Sequence, residues 1–124
     1  MDVKKQVEKH KAQSIHYLKN ALHFIEAGDA EKASEFLWGS MAQAIKAVAL
    51  SKGIRLRSHQ KLREYVIELA RYCKDMDIKN TFDRAQSLHS NFYETGLLME
   101  DVAMAAEDVR VAVAKLLSLI PKES

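Results

Sequence analysis

Apolar residues recur every three or four positions through most of the chain, and no segment alternates apolar and polar residues as a strand would. Three of the four glycines fall where a helix should stop, and the single proline, Pro121, lies close to the end. The pattern predicts five helices, at about residues 3–27, 30–52, from Ser58 onward, 77–95 and 100–120.

Each predicted helix has an apolar face. The second is apolar around more than half of its circumference, which is typical of a central, buried helix. The faces predicted to be buried are Val7, Ile15, Leu18, Leu22 and Ile25 on the first helix; Ala33, Leu37, Trp38, Met41, Ala42, Ala44, Ile45, Val48 and Ala49 on the second; Leu62, Tyr65, Val66, Leu69, Tyr72 and Cys73 on the third; and Ile78, Phe82, Ala85, Leu88, His89 and Phe92 on the fourth.

The connections between these helices are short, so neighbouring helices should run antiparallel. We therefore expect an all-α, up-and-down bundle of about five helices, forming one domain over residues 1–124. The fifth helix carries a heptad seam, which either fills the bundle or joins two copies into a homodimer. Its members are Val102, Ala106, Val109, Val113, Leu116 and Ile120.

Composition excludes several classes of protein. The 124 residues carry a net charge of only +2, and no apolar run is long enough to cross a bilayer. A single cysteine, Cys73, excludes an internal disulfide and a paired-cysteine metal site, and favours the cytoplasm. Neither HExxH, Glu-x-x-His nor a glycine-rich phosphate loop is present, so we expect no metal and no cofactor.

The fourth helix holds the strongest candidates for chemistry, Arg84 and His89. His89 is predicted on the packed side, where it is either a core histidine with a hydrogen-bond partner or a general acid and base. Arg84 is five residues away, about 140° around an ideal helix. It either pairs with a nearby acid such as Asp83 or holds a phosphate beside the histidine.

The arginine, four intervening residues and the histidine resemble the motif of the HEPN superfamily. Two longer blocks resemble the archaeal PaREP branch of HEPN-like proteins: GDAEKASEFLWGSMAQAIKAVAL, residues 28–50, and AQSLHSNFYETGLLMEDV, residues 85–102. The resemblance implies a helical bundle, often dimeric, with metal-independent RNA cleavage in active members by Arg84 and His89 of two subunits. It also suggests a nucleotidyltransferase as a partner protein. Ala85, which follows the arginine where active members usually have a polar residue, favours a non-catalytic relative.

The segment 52–63, between the second and third helices, is strongly basic. It holds Lys52, Arg55, Arg57, Lys61 and Arg63 and is a candidate for phosphate contact. No aromatic residue is interleaved with these charges, so stacking of bases is not indicated. Two functions remain open: an RNA- or nucleotide-binding protein with a ribonuclease site at Arg84 and His89, and a non-catalytic homodimeric interaction module.

Overall fold

A computed structural model describes residues 2–90 and 99–122 and confirms the all-α bundle. Within these residues the chain forms five helices: α1 (Val3–Glu26), α2 (Ala30–Ser51), α3 (His59–Cys73), α4 (Met76–Ser90) and α5 (Met99–Ser118). Predicted and observed ends agree to within about two residues wherever both are described. The predicted last turn of the fourth helix, with Phe92, Tyr93 and Gly96, lies outside the described residues.

Local signals in the sequence explain where the helices begin and end. The side chains of Asp2, Asp29 and Ser58 accept hydrogen bonds from backbone N–H groups in the first turns of α1, α2 and α3. Gly28 and Gly53 follow α1 and α2 with φ of +79° and +81°, where any side chain would be strained. These caps fix the lengths of the first two helices and the short connections after them.

Helix α2 is the centre of the bundle, as its wide apolar face predicts, and it packs against all four other helices. Around it, α1 packs on α5, α5 on α4, and α4 on α3. Extensive packing between α3 and α1 does not close this ring in the described chain. Residues 52–58 connect α2 to α3 and lie at this opening.

A pair of serines joins α1 to α2. Ser14 Oγ donates to the Ser40 carbonyl, and Ser40 Oγ donates to the Ser14 carbonyl, each at 2.8 Å, and both side chains are fully buried. Beside them Gly39 faces the ring of Tyr17, and a Cβ at Gly39 would lie only 3.0 Å from Tyr17 Cδ2. The two helices therefore approach closely because the residues between them are small.

The predicted faces of α1 and α3 are partly wrong. On α1 the buried residues are Val7, Ser14 and Ala21, whereas Ile15 and Leu22 remain over 40% exposed. Val7 is buried as predicted, and Leu18 and Ile25 pack against the core, but the other fully buried positions of α1 are the small residues Ser14 and Ala21. On α3, Leu62, Tyr65, Val66 and Leu69 are buried as predicted, but Tyr72 is 81% exposed and Cys73 is half-buried.

The heptad seam of α5 is filled within the chain. Val102, Val109 and Leu116 are fully buried, Ala106 and Val113 are nearly so, and Ile120 lies beyond the end of the helix, half-buried. Any dimer of this protein therefore uses another surface. Among the described helices, none combines the length and apolar character needed to cross a membrane.

Candidate functional site

Arg84 lies on the side of α4 that faces α5. Its guanidinium is partly exposed and binds the carboxylate of Asp108, with Nη1 to Oδ2 at 3.0 Å. The predicted alternative of an ion pair with a nearby acid is therefore the one observed, with Asp108 in place of Asp83. Asp83 instead pairs with Lys79, at 2.5 Å, and with Arg63, at 3.6 Å.

A cavity of about 480 Å³ lies beside Arg84, between α4 and α5. Both of its cations are already paired, Arg84 with Asp108 and Lys115 with Asp75, to which it donates at 2.6 Å, and the carboxylate of Asp77 also lines the cavity. The hydrogen bond from Lys115 lowers the pKa of the Asp75 carboxyl and raises the pKa of Lys115. Because both cations are paired and Asp77 adds a further carboxylate, this cavity has no net attraction for an anion.

His89 is exposed, which corrects its predicted place on the packed side of α4. It lies near the end of that helix, where its ring stacks on Trp38 of α2 with the centroids 6.4 Å apart and the planes 12° from parallel. Trp38 also contacts His59 at 5.0 Å and, edge to face, Phe82 at 5.0 Å. We call these four rings the Trp38 cluster.

His89 and Arg84 thus lie on the same helix but contact different neighbouring helices. The guanidinium engages α5, and the imidazole engages α2. This separation follows from the five-residue spacing, which places the two about 140° apart around a helix. One chain does not bring them together, and a site containing both would need an arginine or histidine from a second copy.

The five basic residues of the segment 52–63 are all exposed, but they differ in their partners. Arg63 pairs with Asp83, and Lys61 pairs with Glu64 at 3.7 Å. The side chains of Lys52, Arg55 and Arg57 have no acidic partner within the described chain. These three carry the uncompensated positive charge of the segment.

The opening between α1 and α3 contains two adjoining cavities. One, of about 190 Å³, is lined by His10, Lys46, Leu50, Ile54, Arg55, Leu56 and Arg57. The other, of about 200 Å³, is lined by Trp38, Ala42, Lys46, Leu56, Arg57, Ser58, His59 and Leu62. Because Lys46, Leu56 and Arg57 line both, cationic and aromatic side chains share one continuous surface, which we call the α1–α3 cleft.

The members of this cleft on α2 and α1 are not evident from the sequence. Trp38, Ala42, Lys46 and Leu50 recur every four residues, so they follow one another along a face of α2, but the pattern placed Trp38 in the core. His10 is 36 residues from Lys46, and only the packing of α1 on α2 unites them. No Phe, Trp or Tyr is interleaved in the basic segment, but the fold brings Trp38 of α2 into the same cavity lining as Arg57 and His59.

Among the described residues, no three His, Cys, Asp or Glu side chains converge as a metal ion would require. The chemistry available in the cleft is instead that of cations, imidazoles and an indole. Such groups bind anions by charge and planar rings by stacking.

Comparisons with known proteins support the fold. The model of the archaeal PaREP1/PaREP8 family matches residues 9–113. A crystal structure of a protein from Sulfolobus solfataricus superposes with a TM-score of 0.75 at 23% identity, covering 88% of this chain and 97% of that one. No curated protein matches the sequence.

Proposed function

We propose that this chain, which belongs to the archaeal PaREP1/PaREP8 family, binds RNA or a nucleotide on the α1–α3 cleft and the basic segment beside it. The observation that carries the proposal is the placement of Arg57 and Lys46 against the Trp38 cluster, with no acid pairing to Arg55 or Arg57 in the described chain. Single-stranded nucleic acid is bound by this combination of positive charge along the backbone and rings that receive the bases.

Charge alone does not lead to the proposal, because the net charge of +2 is small. The distribution of charge over the surface supports the proposal. Several basic residues elsewhere on the described surface are paired with acids at short distance, as in the pairs Arg84–Asp108 and Arg110–Glu107. At the cleft, Arg55 and Arg57 stay unpaired and exposed. A site that neutralises phosphates needs cations that are free to do so.

Cleavage of the bound RNA is a further part of the proposal, and it depends on a second copy. His89 lies at the Trp38 cluster and so can reach RNA bound on the cleft, but Arg84 of the same chain lies on another side of α4, facing α5. A histidine near neutrality can take and return the proton of a 2′-hydroxyl. The arginine that would hold the phosphate would come from the partner in a homodimer, as the HEPN resemblance implies.

The experiment is a titration of labelled single-stranded RNA at several salt concentrations, in EDTA. The parent is compared with the double variant Arg55→Glu, Arg57→Glu. The matched control is Arg71→Glu, Lys19→Glu, which changes the net charge equally at exposed positions outside the cleft. Each lost phosphate contact should lower the slope of log affinity against log salt by about 0.7, so the cleft variant should lose about 1.4 and the control nothing.

Equal slopes in the two variants would refute binding at this surface. The same samples report cleavage, because product that forms with the parent and disappears with His89→Ala identifies the histidine as catalytic. Binding of RNA without cleavage product from either protein would support the proposed RNA binding and refute the proposed ribonuclease activity.

A further inference from the structure

The inner part of the α1–α3 cleft, the cavity that contains His10, has a more specific chemistry than the exposed segment around it. Three cationic side chains, Lys46, Arg55 and Arg57, line a space of about 190 Å³ whose remaining walls are Leu50, Ile54 and Leu56. No carboxylate lines it. A small, three-sided group of cations with apolar walls suits one compact anion better than an extended chain of charges.

His10 has a fixed orientation in this cavity. Its Nδ1 lies 2.6 Å from Oε1 of Gln43 on α2, and since a carbonyl oxygen only accepts, Nδ1 carries the hydrogen and donates it. Both residues are half-buried. The second ring nitrogen, Nε2, has no partner in the described chain. In the protonated ring Nε2 also carries a hydrogen, which it can donate to a phosphate oxygen. An imidazole held in this way is positioned before any ligand arrives, which reduces the entropy lost on binding.

The neighbouring cavity supplies the other half of a ligand site. Lys46 and Arg57 line both cavities, and Trp38 and His59 lie on the far side. Along α2, Lys46 is two turns from Trp38, a rise of about 12 Å. A ligand that reaches both must carry an anionic group and, apart from it, a planar ring. A nucleotide has both.

We infer that the His10 cavity binds a terminal phosphate, a phosphomonoester, with the attached base directed toward Trp38 and His59. A monoester carries about −1.5 to −2 charges at neutral pH, more than the single charge of an internal phosphodiester, and it presents three acceptor oxygens to the cations. The ligand is then a nucleotide 5′- or 3′-phosphate, either free or at the end of an RNA. The inference rests on the proposed function, because the cavity is part of the proposed RNA surface.

The test uses one short RNA sequence in three forms, with hydroxyl ends, with a 5′-phosphate and with a 3′-phosphate, and also free AMP. Binding is followed by anisotropy of labelled RNA and by the emission of Trp38, which is the single tryptophan of the chain. The variants are Lys46→Met and His10→Ala, and the matched control is Lys19→Met, on the exposed face of α1 outside both cavities.

One phosphorylated form should bind the parent about ten times more tightly than the hydroxyl form, the size of one charge-assisted hydrogen bond. Lys46→Met should abolish that preference, His10→Ala should reduce it, and Lys19→Met should keep it. The phosphorylated RNA that binds more tightly shows whether the cavity binds a 5′-phosphate or a 3′-phosphate. Far-UV circular dichroism confirms that each variant is folded.

Failure of this inference differs from failure of the proposed function. If all three RNAs bind equally, or if Lys46→Met and Lys19→Met behave alike, the RNA surface stands and the phosphomonoester site is refuted. If no RNA binds but AMP does, and the binding depends on Lys46, the nucleotide site stands and the RNA surface is refuted. Absence of binding by every ligand refutes both.

Discussion

Replacement of Ser14 by valine tests the packing of α1 on α2. Ser14 is fully buried between the helices, and its hydroxyl donates to the Ser40 carbonyl. An amphipathic pattern would make Ser14→Val favourable, because it enlarges the apolar face of α1. The structure predicts the reverse, since Ser14 is fully buried, its Oγ lies 3.3 Å from Ser40 Oγ, and valine cannot donate the hydrogen bond.

The magnitude follows from two contributions. Loss of the hydrogen bond costs about 1 kcal/mol, and inserting a bulkier branched side chain into a packed site costs about 1–3 kcal/mol. The free energy of unfolding should therefore fall by about 2–4 kcal/mol. Serine and valine have similar helix propensities, so the difference reports packing. Ser14→Ala, which loses only the hydrogen bond, should cost about 1 kcal/mol.

Ile15→Ala is the matched control at the adjacent position. Ile15 is 42% exposed, so a little over half of its side chain is buried. Three carbons at about 0.8 kcal/mol each, reduced by that fraction, give about 1.4 kcal/mol, with no cavity left in the core. If Ile15 were in the core, as the apolar pattern indicates, the cost would be about 2–5 kcal/mol.

The assay is urea unfolding followed by circular dichroism, at one protein concentration, with the midpoints compared at constant slope. Melting temperatures provide a second measure, with about 4 °C expected for each kcal/mol in a domain of this size. A Ser14→Val variant as stable as the parent would refute the close contact of α1 and α2. An Ile15→Ala variant that loses more stability than Ser14→Val would show that α1 is rotated from its observed orientation.

Three further predictions concern single residues of the bundle. Lys74, which ends α3 with φ of +54°, is the single non-glycine residue with positive φ in the described chain, so Lys74→Gly should raise the free energy of unfolding by about 1 kcal/mol in the same assay. The pKa of the Asp75 carboxyl is lowered in the folded protein, so this group stabilises the fold at pH values above its ordinary pKa of 3.8, and the contribution is lost as the pH falls through the folded-state pKa. Lys115→Met should therefore be less stable than the parent near neutral pH and equally stable in acid. A pH series of urea midpoints measures the difference. Arg84→Gln should lower stability by less than about 1 kcal/mol, because its pair with Asp108 is exposed, so a large loss of RNA cleavage in this variant would report function and not unfolding.

The sequence predicted the helices well because their signals are local. The caps at Asp29 and Ser58 and the glycines after α1 and α2 act within a few residues, and the structure confirms each of them. The central position of α2 was also predictable, since its apolar face is too wide for a surface helix.

Orientation of α1 was not predictable from the same pattern. The buried position of Ser14 depends on Ser40, whose carbonyl satisfies the hydroxyl from 26 residues away. A rule that places large apolar residues inside cannot detect a contact that requires small ones. The prediction that Tyr72 is buried was wrong for a related reason. Tyr72 shares a helical face with buried residues, but it lies near the end of α3, where that face extends beyond its neighbours.

For the candidate site, the sequence indicates the charged residues of the basic segment but not which side chains the fold brings next to them. The sequence pattern indicates the basic segment and His89 as separate features, and it predicts a core position for Trp38, which contacts His89 and shares a cavity lining with Arg57. Their association requires knowing that α4 returns antiparallel to α3 and that the packing around α2 is open on one side. Arg84 and His89 are close in sequence, and this closeness concealed that they face different helices.

The position of α5 has a consequence for how the protein is made. Helix α5 packs against α1, α2 and α4, yet it is synthesised after them. While the ribosome completes residues 99–118, the flank of α2 that α5 will cover is still open to solvent or to other chains. The nascent four-helix chain therefore exposes apolar surface that can aggregate, and packing of Val102, Val109 and Leu116 covers that surface.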